Sequence, residues 1–162
     1  MRYPNLAAEM AHLPNDVNRT WAIRAANVTE EVYQDIMAGI DDFTHKEAIT
    51  LANYLKKSMN YLFSDTLTEV DLNSEEDFKL LVLLECNLTL LSKRRLIGRW
   101  DMHKYKRSKE LPAIIRRGEV VSHAELAAAT EYISDILHCC QYWSSQPVLR
   151  ARTVSVTTGG AV

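Results

Sequence analysis

Eight basic side chains crowd into residues 93–109: Lys93, Arg94, Arg95, Arg99, Lys104, Lys106, Arg107 and Lys109, opposed there by Asp101 alone. Trp100, His103 and Tyr105 interleave with them. Cations alternating with flat rings can hold a phosphate backbone by charge and bases by stacking. The plainer reading is a solvated helix end, because the run follows a Leu-rich segment whose C-terminus would favour cations. Other candidate chemistry is weaker. Glu75, Glu76 and Asp77 form a carboxylate triplet, but it sits where a helix should begin, and acids there complement the helix dipole.

Metal, cofactor and nucleophile chemistry find no support in the pattern. Five histidines are scattered, and only His138 lies beside cysteines, Cys139 and Cys140. Consecutive helical residues point about 100° apart and cannot converge on one ion. The three cysteines, with Cys86, are an odd set that reads as buried apolar thiols. Five glycines form no phosphate-cradling loop, and no local nucleophile signature is present. The expectation is a protein without metal or cofactor that is not an enzyme.

The elements that must carry these residues belong to an ordinary chain. Its 162 residues, 47% apolar and 25% charged, suit one domain or two small ones. The net charge of −2 hides an asymmetry: residues 1–72 carry six Lys/Arg against eleven Asp/Glu, and residues 73–162 carry thirteen against ten. No leader pattern of basic start, apolar run and small-residue cleavage site is read, so a cytoplasmic protein is expected.

Helical periodicity dominates the first third. Pro4 fits a first turn, with Leu6, Ala7 and Met10 on one face. A second helix over residues 18–26 places Trp21, Ile23 and Ala26 for burial, and Asn27 suits the left-handed turn that ends it. Thr29 caps a third helix carrying Val32, Tyr33, Ile36 and Met37 inward, which Gly39 ends. Thr44 with Glu47 spells a capping box for a fourth, with Ala48, Ile49, Leu51 and Leu55 inward, and a short fifth holds Met59 to Phe63.

Farther on, Ser74 starts a helix over residues 78–97 that is apolar almost all round, so it should be central in a core or covered by a second chain. Glu85, Asn87 and Lys93 interrupt it too much for a membrane span. Residues 112–117 read as a short helix ended by Gly118, and Ser122 caps a long one through Trp143. Strand alternation is hinted at only in residues 153–157. The expected class is all-α. The expected division is a helical domain over 1–66, a linker over 67–73, a self-association domain over 74–145 and a loose tail over 146–162.

Residues 3–64 resemble the Xre family of helix-turn-helix proteins, which includes Cro and the lambdoid repressors. The likeness is carried by Tyr3-Pro4-Asn5-Leu6-Ala7-Ala8-Glu9-Met10-Ala11 and by the stretch from Phe43-Thr44-His45-Lys46-Glu47-Ala48 to Met59-Asn60-Tyr61-Leu62-Phe63-Ser64. Between them Val17, Ile23, Asn27, Val28, Thr29, Met37 and Gly39 match core, turn and cap positions. The resemblance implies a lambda-repressor-like domain and a dimeric transcriptional regulator of phage or mobile-element habit that binds double-stranded DNA.

Carried over residue by residue, Arg19 stands where a glutamine is usual and would contact phosphate, as would Thr29 and Lys46. The base-reading positions become Glu30, Glu31, Gln34 and Asp35. Gln34 can bond an adenine edge and a carboxylate can accept from cytosine, but three acids would face a polyanion. Two readings stay open. Either Arg19, Arg24, Lys46 and the basic run compensate, or the scaffold has been turned to a protein partner.

Overall fold

The computed structural model describes residues 1–14, 16–94 and 101–145, without the side chains of Asp16 and of residues 140–145. Among them are eight α-helices and no strand: α1 (Pro4–Ala11), α2 (Asp16–Ala25), α3 (Glu30–Met37), α4 (His45–Leu55), α5 (Met59–Leu62), α6 (Glu75–Ser92), α7 (Met102–Arg116) and α8 (His123–Ser145). The protein is all-α. No helix among the described residues is long and apolar enough to cross a membrane. Arg95, Ile97, Arg99, Trp100, the tail with its strand-like residues 153–157, and the side chains of Cys140 and Trp143 lie outside the described residues.

Local chemistry sets the first five helices. Pro4 opens α1, since a first-turn residue has no intrahelical use for the N–H that proline lacks. Thr29 Oγ accepts from the Val32 N–H at 3.2 Å and starts α3. The Thr44–Glu47 capping box is complete, with Glu47 N–H on Thr44 Oγ1 and Thr44 N–H on Glu47 Oε2. Asn27, at φ 59°, and Gly39, at φ 83°, take the left-handed conformations that end α2 and α3.

The chain forms two compact units. The first, Met1–Val70 with Val120–Ala128, packs α1 on α5 and α2 on both α3 and α4 around Leu6, Ile36, Leu51 and Leu62, all essentially without exposure. Tyr3, Phe43 and Phe63 add an aromatic cluster with centroids 5.1–6.2 Å apart. Buried Asn5 locks α1 in place. Its amide donates to the Tyr61 carbonyl (2.9 Å) and to Thr68 Oγ1 (3.0 Å), and its Oδ1 accepts from the Thr68 N–H (2.7 Å).

Residues 67–73, expected to be a linker, are therefore bonded in. Val70 N–H donates to the Val121 carbonyl and His123 N–H to that of Thr68, around an antiparallel bridge between Glu69 and Ser122. Residues 120–128, assigned from the sequence to the second domain, thus belong to the first unit.

The second unit, Asp71–Glu119 and the chain from Ala129 onward, buries Leu81, Leu84 and Leu91 of α6, Leu111 and Ile115 of α7, and Ile133 and Ile136 of α8. Arg116 forks onto Glu85, at 2.6 and 3.2 Å, to tie α7 to α6. The second unit departs from the sequence expectation in three places. The helix expected over residues 78–97 closes at Ser92, where Lys93 N–H turns back onto the Leu90 carbonyl. The short helix expected at Pro112 begins instead at Met102. Asp101 caps it through the His103 and Lys104 N–H groups, and Ser108, Leu111, Pro112 and Ile115 form one buried face that outweighs the single N–H proline removes. Cys86, expected in the core, is exposed, and it and Cys139 are in no disulfide.

Candidate binding surface

The turn between α2 and α3 is held from inside. Val28 is buried and its N–H reaches the Ile23 carbonyl, while the Asn27 N–H reaches that of Arg24. These bonds fix where Thr29 starts α3. At 100° per residue, Tyr33, Ile36 and Met37 then point into the core while Glu30, Glu31, Gln34 and Asp35 share the outer face. The four expected reading positions are therefore exposed together on one helix face.

Arg19 joins that face from α2. Its Nη2 and Nη1 donate to Glu30 Oε1 and Oε2 at 2.8 and 3.1 Å, and its guanidinium lies 5.2 Å from the centroid of the Tyr33 ring. Gln34 Nε2 donates to the same Glu30 Oε1 at 3.0 Å. The Arg19 bonds, then that of Gln34, hold the Glu30 carboxyl below the usual carboxylate range, and burial raises the Tyr33 phenol. Three of the polar groups thus form one small network, and the acids of the face outside it are Glu31 and Asp35.

Other expected residues fall differently. Thr29 is exposed, but its hydroxyl is engaged as the α3 cap. Lys46 stands exposed in the first turn of α4, with no hydrogen bond or ion pair to α2 or α3 among the described residues. In the basic run, Lys93 and Arg94 follow the end of α6. Lys104, Lys106 and Arg107 lie on α7, where helical periodicity sends Lys104 and Lys106 about 200° apart. Lys104 Nζ sits 5.9 Å from the Tyr132 ring centroid, and Lys109 Nζ 5.5 Å from that of Tyr105. The α7 cations ring the helix and do not make a stripe; Arg95 and Arg99 lie outside the described residues.

Two residues expected inside are outside. Val17 is 60% and Trp21 56% exposed. The inner face of α2 is made by Ala22 and Ile23, continued by Ala26 just past its end, and four-residue spacing puts Val17 and Trp21 together on its far side. The Arg24 guanidinium covers the Trp21 ring at 5.8 Å. An exposed Val–Trp–Arg strip is the feature the sequence reading missed; the signal was the narrow small-residue face of α2. Ile49 is likewise partly exposed. No family model, curated protein or solved structure matches the chain.

Proposed function

We propose that the chain is a DNA-binding transcriptional regulator of the Xre helix-turn-helix type, cytoplasmic and working as a homodimer, with α3 as the helix presented to the major groove. The observation that carries the reading is the exposed outer face of α3, beside Arg19 and anchored by buried Tyr33, Ile36 and Met37. Two protomers would set their α3 helices in successive major grooves about 34 Å apart.

Charge is the obstacle, and magnitudes address it. In the Arg19–Glu30 pair Arg19 is half-buried and Glu30 exposed, at 30% and 52%, so water reaches both partners. Pairs of that kind contribute about 0–1 kcal/mol. A phosphate can therefore compete for Arg19 at small cost, while Gln34 remains to donate and accept at a base edge. Lys46, exposed in the first turn of α4, would supply a further phosphate contact.

The test is titration of a random-sequence duplex across salt, read by fluorescence anisotropy. Binding should weaken linearly on a log–log plot, and Arg19→Ala should reduce the slope by about 1. Gln34→Ala should leave that slope intact and change preference within a randomised-site selection. Absence of duplex binding at low salt, or identical slopes for wild type and Arg19→Ala, would remove the docking surface.

A second reading, an adaptor that binds a basic protein surface through the outer face of α3, is favoured by one observation: Glu31 and Asp35 are exposed there outside the Arg19–Glu30–Gln34 network. It expects no salt-dependent duplex retention, and loss of partner capture when Glu31 and Asp35 are both replaced by lysine.

A further inference from the structure

Helix α6 is apolar on two sides, and the described residues of the second unit cover only one of them. Leu81, Leu84 and Leu91 are buried, whereas Phe78, Val82, Leu83 and Leu90 remain 37–48% exposed, with Cys86 exposed among them. Projected at 100° per residue, Glu75, Phe78, Val82, Cys86, Leu90 and Lys93 fall within an arc of about 120° that Lys79 and Thr89 share. The order along that arc is self-matching. Reversed about the level of residue 84, Phe78 meets Leu90, Val82 meets Cys86, and Glu75 meets Lys93.

We infer that α6 pairs antiparallel with α6 of a second copy of this chain, across a two-fold axis between Val82 and Cys86. Two arguments select that occupant. Charge is the first: antiparallel pairing sets Glu75 against Lys93 at both ends, whereas parallel pairing sets Glu75 on Glu75 and Lys93 on Lys93. The intrahelical Lys79–Glu75 contact (2.7 Å, both side chains more than 70% exposed) is weak enough to share. Area is the second. Phe78, Val82, Leu83 and Leu90, with Cys86 among them, offer on the order of 350 Å² per copy, within the ~300–600 Å² of the largest, often functional, apolar patch on a single chain. With homodimer interfaces about 65% apolar, complete burial of that surface corresponds to roughly 1,100 Å² in total, at the ~1,000 Å² threshold for a specific interface.

The inference deepens the dimeric reading above and is tested without DNA, so either can fail alone. Sedimentation equilibrium of the full chain should give twice its 18.5 kDa mass. Val82→Asp should raise the dissociation constant at least tenfold with the helical circular dichroism unchanged. Glu75→Lys and Lys93→Glu should each weaken association about threefold or more, and the two together should restore it. On the wild-type chain, maleimide labelling of Cys86, read by peptide mass, should slow as protein concentration rises. A monomer at 100-micromolar-scale loading, a dimer indifferent to Val82→Asp, failure of the double charge reversal to restore pairing, or concentration-independent labelling of Cys86 would each overturn it.

Discussion

Helices α3 and α6 both turn a broad face to solvent, and the two faces differ in kind. On α3 a buried apolar side opposes a polar one whose Glu30, Gln34 and neighbouring Arg19 satisfy one another. On α6 a buried apolar side opposes another apolar side. A one-sided pattern is completed by its own chain and leaves chemistry to display; a two-sided pattern leaves surface still to be removed from water. The same contrast separates their caps. Thr29 makes its side-chain hydrogen bond, whereas Ser74 makes none and the carboxylate of Asp77 accepts from the Asp71 N–H instead.

The contrast is broken most forcefully in the core. Ile36→Ala, at a side chain with no exposure, should cost about 2–5 kcal/mol in urea unfolding. Leu90→Ala on the outer side of α6 should change monomer stability by no more than about 0.5 kcal/mol. Equal losses would mean that the outer side of α6 is covered within one chain. Next in size is Asn5→Ala, which removes the acceptor of the Thr68 N–H and one donor to the Tyr61 carbonyl and should cost about 1–3 kcal/mol.

The caps sharpen the comparison further. Thr29→Ala should lose about 1 kcal/mol and Ser74→Ala much less, both measurable by thermal unfolding. The smallest effect is in acid. Glu30 is held below its unfolded value, so its contribution is complete above the ordinary glutamate range and is lost as pH falls through the lowered value. Glu30→Gln should flatten the acid limb of the stability profile there, and an unaltered limb would show that the Arg19 fork contributes nothing.

What could be read in advance follows the range of the interaction. Thr44 with Glu47, Thr29, Asn27 and Gly39 act within four residues, and the helices they bound begin and end where the sequence places them. The exposure of Glu31, Gln34 and Asp35 follows from the same periodicity. Arg19 was legible as a residue of that surface but its attachment to Glu30 was not, because eleven residues and a turn separate them. Val17 and Trp21 were misplaced because apolar character alone does not say which side of α2 the small residues Ala22 and Ala26 claim. Met102 as the start of α7 was hidden by Pro112, whose local preference for a first turn is overridden by packing of the face it shares with Leu111 and Ile115.

The joining of Val120–Ala128 to the first unit has a consequence for synthesis on the ribosome. The Thr68–His123 and Val70–Val121 hydrogen bonds must wait until about fifty intervening residues have been translated, a delay of roughly 3–10 s at 5–20 residues per second. Until then the nascent first unit lacks the segment that covers its edge at Thr68–Val70.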